Sequence, residues 1–284
     1  MTTKHGGILG LFAHPDDEEF GTSGALIIAA QRGLRVQVVS ATCGDAGEIS
    51  DPALATPETL GAVREAELRA ACAALGIAEP RLLRHGDGKL AETDSGRLRD
   101  DLVVIIREER PRVVITFDAN GGYGHPDHIA VHHAAVAAFS AAADARHRPD
   151  LGPPHAADKL YATAYPQSRI LQMNDDFVAN GYPRIDFGSV QTIDADEIGT
   201  ADERITTRVP VDHLWDQRWR AFRCHRTQYG DRHPFVALPD GVMRGWMQFD
   251  CFRRISPAPA PGAVLPDETD LWHGLTETGP QPTS

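Results

Sequence analysis

The feature that most constrains this chain is the alternation, through its first half, of short apolar runs with longer amphipathic ones. Gly7 to Ala13 has the pattern of a buried strand, and Thr22 to Arg32 that of a helix stopped by Gly33. The pairing recurs as Val36 to Ala41 with Glu58 to Leu75 (Gly76 as its stop), Arg81 to His85 with Arg97 to Glu109, and Arg112 to Phe117 with Ile129 to Ala145. Strands that alternate with helices of this length imply an α/β fold, here a Rossmann-like, mostly parallel sheet with helices on both faces.

The remainder is less regular. Between Asp144 and Ala157 the composition shifts to Arg, His, Pro, Asp and Gly, a surface loop or linker. Leu160 to Tyr165, Ile205 to Val211 and Met247 to Ile255 are strand patterns, and Leu214 to Thr227 is a helical one. Residues 1–150 are therefore expected to form the Rossmann-like core. Residues 151–256 would be a smaller, irregular α+β lobe that completes the same domain, and 257–284 a Pro-rich tail. With 284 residues, 42% of them hydrophobic, the chain has enough apolar material for such a core.

A formal net charge of −12 and the absence of any Lys/Arg run argue against a nucleic-acid partner. Cys43, Cys72, Cys224 and Cys251 are far apart and form no CxxC, so neither a disulfide framework nor a thiolate metal site is signalled. The short apolar run before His14 is neither a signal peptide nor a membrane span, and the expectation is a cytoplasmic protein, as a monomer or a homo-oligomer.

Two segments carry chemistry. His14-Pro15-Asp16-Asp17-Glu18-Glu19 follows the first strand, and Tyr123-Gly124-His125-Pro126-Asp127-His128 follows the strand ending near Phe117. Ligands of open α/β sheets bind beyond the carboxyl ends of the strands, which is where both segments fall. Taken singly, each is explained as a strand-to-helix turn with Pro fixing φ and a polar side chain capping the next helix. Two His-Pro-Asp turns on one sheet edge are not explained by capping. His14 and Asp17, three residues apart across a turn, can converge on one point, and a histidine of the second segment would complete a His/Asp/His set that leaves a fourth position open for water. His128 and His132, four residues apart, both suit that third place by spacing.

These residues resemble the PIG-L/LmbE family of zinc-dependent N-acetylglucosaminyl deacetylases. Asp118 to His128 is similar to the branch that includes the mycothiol-pathway deacetylase and S-conjugate amidase. The resemblance covers Gly7 to about Ala143, and Tyr165 to Tyr182 and the tail depart from it. It implies that His14, Asp17 and His128 bind Zn2+ or another divalent ion, one per chain, that Asp16 is the general base, and that His125 and Tyr123 stabilise the oxyanion, with Asp127 orienting His125. Glu48, Arg64 and Asp87 match positions that hold sugar hydroxyls, and His225-Arg226-Thr227-Gln228 is similar to a family His-x-[Ser/Thr]-Gln segment. The implied reaction removes an N-acetyl or other N-acyl group from an N-acetylglucosamine-type conjugate. The competing readings are an amidase of thiol S-conjugates, a deacylase of a glycosylated natural product, and a non-catalytic nucleotide-binding module with Gly21-Thr22-Ser23-Gly24 at a helix N-terminus holding phosphate.

Overall fold

The computed structural model describes residues 6–185 and 198–275, so the first five residues, a stretch of the second lobe and residues 276–284 of the expected tail lie outside it. Seven strands form one sheet: β1 (Ile8–Phe12), β2 (Val36–Thr42), β3 (Arg81–His85), β4 (Val113–Thr116), β5 (Lys159–Thr163), β6 (Thr207–Pro210) and β7 (Phe249–Ser256), in the order β3-β2-β1-β4-β5-β7-β6. The first five pair in parallel, whereas β7 runs antiparallel to both β5 and β6. The sheet thus crosses residue 150, and the later part of the chain supplies three of its strands.

The helices follow from the connections. α1 (Ser23–Gln31) and α2 (Leu60–Leu75) link β1 to β2 and β2 to β3, moving outward in one direction. α3 (Ser95–Glu109) carries the chain back across the sheet to β4, and the distorted turn α4 (Gly121–Gly124) and α5 (Pro126–Ala143) continue to β5 on the other side. Right-handed crossovers that reverse direction put the two sets of helices on opposite faces, and α3 does pack along α5 while α2 packs on α7 (Trp215–Phe222). The reversal lies between β1 and β4. There the connections leave in opposite directions and open a crevice beyond the carboxyl ends of the two strands, and the two His-Pro-Asp segments follow these same strands.

All five residues of β1 are buried, as expected of a strand covered on both faces, and Ile8, Leu9, Leu11 and Phe12 join β2, β4, α1, α3 and α5 in the main core. Several elements differ from the sequence reading. α5 begins at Pro126 rather than Ile129, because Pro suits the first helical position and His125 caps the helix by accepting the Asp127 N–H. The helix expected from Leu214 to Thr227 ends at Phe222, which leaves His225 to Gln228 in a turn. Tyr165 to Tyr182 contains an unanticipated helix, α6 (Gln167–Ala179), and α8 (Pro234–Ala237) and α9 (Asp240–Trp246) precede β7. The described part of the tail is irregular but docked: Leu271 enters the main core, and buried Glu268 bridges to Thr207. Among the described residues no helix is long and apolar enough to cross a membrane.

Candidate active site

The loop after β1 is built by its own polar groups. The Ala13 carbonyl accepts the N–H and hydroxyl of Thr42, tying the end of β1 to β2. The His14 N–H donates to Asp17 Oδ2 at 2.7 Å, closing a turn over Pro15. Inside it Asp16 takes φ 116°, a conformation unfavourable for any residue with a Cβ. Arg64, buried on α2, holds this loop from below: its guanidinium donates to the Pro15 carbonyl at 2.6 Å and the Gly44 carbonyl at 2.9 Å, and lies 3.2 Å from Asp16 Oδ2. Gly44 has φ 67°, and a Cβ there would stand 2.5 Å from that guanidinium, so the contact requires glycine.

The second segment is shaped by Asp118, whose Oδ1 accepts the N–H groups of Asn120 and Gly122. Gly121 then passes so near α5 that a Cβ would meet the His128 Cβ at 2.8 Å, and its carbonyl lies 3.1 Å from His128 Nδ1. Phe117 stacks on the His128 ring, 3.9 Å between centroids. With Nδ1–H given to the carbonyl, the Nε2 lone pair faces the loop of β1.

Three side chains converge there. His128 Nε2 lies 3.2 Å from His14 Nδ1 and 3.2 Å from Asp17 Oδ1, and His14 Nδ1 lies 3.5 Å from Asp17 Oδ2. Tetrahedral zinc with bonds of 2.0–2.2 Å spaces its ligands about 3.3 Å apart, close to these separations, so the His/Asp/His set suits such an ion. His132 is not part of this group, since its Nδ1 pairs with the Phe117 carbonyl at 2.8 Å.

The outer nitrogen of His14 is also engaged. Its Nε2 lies 3.1 Å from Asp87 Oδ1 and 3.3 Å from Asp127 Oδ2. Asp127 in turn accepts the N–H groups of Gly88 at 2.8 Å and Leu90 at 2.9 Å, and Asp87 Oδ2 that of Ala46 at 2.7 Å. One expectation changes here. The Asp127 carboxylate orients His14, while only its backbone N–H reaches His125 Nδ1, at 3.2 Å. Asp87 and Arg64 also tie down the loops of the site, and Arg64 is buried with its Nε lacking a partner among the described residues. Glu48 is the exposed member of that trio.

The electrostatics separate the remaining groups. Burial pushes the Asp16 carboxyl up to about 6 against the pull of Arg64, with Asp17 and Glu18 adding to the rise. Burial and the neighbouring His128 and His14 bring His125 down to about 4, so the ring is neutral near pH 7. Because its Nδ1 accepts from the Asp127 amide, the proton resides on Nε2. Tyr123 packs edge-on to His125 and His128, and burial together with Asp17 and Asp16 holds its phenol protonated.

The segment His225 to Gln228, for which the sequence offers no role, staples three parts of the site. His225 Nε2 meets Glu18 Oε1 at 2.6 Å, the Thr227 amide and hydroxyl donate to Glu67 on α2, and Gln228 donates to the Glu48 carbonyl at 2.9 Å. Burial opposes charge on His225, but facing Glu18 pushes it up to about 9. The N-terminus of α1, the phosphate cradle of the nucleotide reading, is sealed. Asp250 Oδ2 takes the Ala25 N–H at 2.9 Å, and Val211 lies 2.5 Å from where a Gly24 Cβ would be. A carboxylate stands where a phosphate would, which corrects that reading.

The fold and this grouping are those of a deacetylase, a hydrolase of amide bonds. The chain belongs to the PIG-L family, GlcNAc-PI de-N-acetylase, whose pattern matches residues 9–139. It is 34% identical over 293 residues to the 1D-myo-inositol 2-acetamido-2-deoxy-alpha-D-glucopyranoside deacetylase of Thermobifida fusca, covering 93% of this chain and 98% of that one. The fold is shared with N,N'-diacetylchitobiose deacetylase from Pyrococcus horikoshii, at TM-score 0.62 and 19% identity over 87% of this chain and 83% of the other. It is shared equally with a 4-carboxy-2-hydroxymuconate hydratase from Pseudomonas putida, at TM-score 0.62 and 18% identity over 90% and 98% of the two chains. The fold alone therefore does not fix the reaction.

Proposed function

We propose that this chain is a metal-dependent deacetylase that removes the N-acetyl group of an N-acetylglucosamine linked to inositol or a similar polyol, and that it works in the cytoplasm. The observation that carries the reading is the triangle of His14, Asp17 and His128 donors with Asp16 beside it. The likeness over 98% of the Thermobifida fusca deacetylase supports the inositol-linked substrate. In this reading residues 1–150 are the catalytic core, 151–256 the lobe over the substrate, and 257–284 the tail.

His14, Asp17 and His128 hold the ion. When bound, it supplies Lewis-acid polarisation of the acyl oxygen and makes water acidic enough to lose a proton near neutral pH. Asp16, with its carboxyl raised to about 6, takes that proton as the water oxygen bonds to the acyl carbon. The neutral His125 offers its Nε2–H, and Tyr123 its hydroxyl, to the oxygen on which negative charge develops. As the C–N bond breaks, the proton collected by Asp16 passes to the leaving nitrogen, giving acetate and a free amine. Glu48, the exposed one of the three sequence candidates, is open to a sugar hydroxyl, with Asp87 and Arg64 behind it.

One observation favours a bulkier acyl group or aglycone. Phe20, three residues beyond Asp17, lies 5.7, 5.6 and 6.0 Å from the rings of Phe222, Tyr229 and Phe235, and it, Tyr229 and Phe235 are half-buried. This aromatic wall suits apolar surface better than acetate requires. Free-amine release measured across N-acetylglucosamine conjugates of inositol, lipid and thiol-conjugate type, each with acetyl and longer acyl groups, separates the two readings. Turnover confined to long acyl groups would overturn the acetyl assignment.

A further inference from the structure

We propose that His225 is a positioning residue for the base: it holds the Glu18 carboxylate, and Glu18 fixes the Asp16 peptide in its left-handed conformation. The inference rests on the reading of Asp16 as base, and it goes beyond that reading by giving a function to a residue of the distant lobe.

A non-glycine residue at φ 116° persists only where its surroundings hold it there. Three groups hold Asp16, one of them the Glu19 N–H, which the Asp16 carbonyl accepts at 3.0 Å. From one side Arg64 grips the Pro15 carbonyl and Asp16 Oδ2. From the other, the Asp16 N–H donates to Glu18 Oε2 at 3.0 Å, which sets the direction of the peptide and with it that of the Asp16 side chain. Glu18 can do this only if its own carboxylate is fixed. Its remaining oxygen, Oε1, meets His225 Nε2 at 2.6 Å, and both side chains are sealed, with 0% and 1% of their residue surfaces exposed. Glu19 shares the pocket, but neither of its carboxyl oxygens has a hydrogen-bond partner there among the described residues.

The His225 backbone is itself held, while its ring Nδ1 is buried without a hydrogen-bond partner among the described residues, so Glu18 is what the ring nitrogens meet. The His225 N–H donates to the Phe222 carbonyl at the end of α7, and its carbonyl accepts the N–H groups of Gln228 at 3.2 Å and Tyr229 at 2.8 Å. The result is a relay of fixed hydrogen bonds from a turn 207 positions away in the chain to the peptide of the base. The relay moves no proton in the reaction. It sets where Asp16 Oδ stands relative to the attacked carbon, and a misplacement of about 1 Å at that point lowers a rate by roughly 100-fold.

The test compares His225→Leu, His225→Gln and His225→Asn, alone and with Asp16→Asn, by steady-state deacetylation of an inositol-linked N-acetylglucosamine and by metal content. His225→Leu is expected to keep its metal and its KM within about twofold while kcat falls roughly 10- to 100-fold. His225→Gln, whose amide reaches Glu18, should recover most of kcat; His225→Asn, one methylene shorter, should not. Added to Asp16→Asn, His225→Leu should cost nothing more. Unchanged kcat in folded His225→Leu, a loss seen in KM or metal content instead, or an additive loss with Asp16→Asn overturns the proposal. Should His225→Leu fail to fold, the Gln and Asn pair decides, and equal kcat in the two overturns it. Full turnover by Asp16→Asn would instead remove the reading of Asp16 as base, a separate outcome.

Discussion

The Asp127 carboxylate presents Oδ2 to His14 Nε2 at 3.3 Å although the two residues lie 113 positions apart. Two backbone amides pin that carboxylate, so it fixes the ring with its Nδ1 lone pair toward Asp17 and His128. A partner of this kind behind a metal-binding histidine sets the tautomer and raises the basicity of the ligand. Asp127→Asn is therefore expected to weaken metal binding about 10- to 100-fold, read by competition with a chelator, with kcat restored at saturating metal. Native affinity in this variant would mean that Asp87 alone orients His14.

The choice between His128 and His132 is a second test. His132 spends its Nδ1 on the Phe117 carbonyl, whereas His128 Nε2 stands 3.2 Å from both His14 and Asp17. Elemental analysis of purified variants should find about one metal per chain in His132→Ala and little in His128→Ala, as for loss of one of three protein ligands. The opposite result would reassign the site.

Arg64 makes a prediction about pH. Its guanidinium pulls the Asp16 carboxyl down against burial, so removing the charge must raise the Asp16 value and carry the acid limb of kcat/KM to higher pH. Arg64→Met should move that limb upward by roughly one unit or more, the effect of a close opposite charge, whereas Arg64→Lys, which keeps the charge, should move it less. An acid limb that stays in place in Arg64→Met would show that Asp16 is not the group titrating there.

The sequence carried the half of this site that is local. His14 to Asp17 and His125 to His128 are turns whose Pro and carboxylates stand within four residues of one another, and each follows a strand legible from its own apolar run. The order of the strands, which brings β1 and β4 together, follows from crossover rules that act on the whole chain, so it emerges only with the fold. The partners of the ligands were hidden for the same reason. Asp87 follows a third strand, and the family resemblance implied a sugar contact for it rather than the contact with His14. His225 reaches Glu18 from a turn that a helical pattern up to Thr227 disguised, because the helix stops at Phe222. α6 was missed because its apolar face is short and broken by Asn174, Asp175 and Asp176.

The tail gives the last prediction. Glu268 is buried against Lys159 at 2.7 Å, Tyr161 at 2.8 Å and Thr207 at 2.7 Å, with Arg254 also beside it. Burial alone would raise its carboxyl, but Lys159 and the two hydroxyls outweigh it and hold the group below its usual value. A carboxyl lower in the folded than in the unfolded chain adds stability that is present above about pH 4.3 and lost as pH falls through the folded value. The native protein should accordingly lose stability on acidification below that point, with the region around Leu271, which the same segment inserts into the core, among the parts released. Glu268→Ala leaves Lys159 buried without its carboxylate and should cost about 3–5 kcal/mol at neutral pH, read by denaturant unfolding. The variant should also show a flatter acid limb of stability than the native chain. Equal stability and an unchanged acid limb in Glu268→Ala would mean that the tail rests on the core without fastening it.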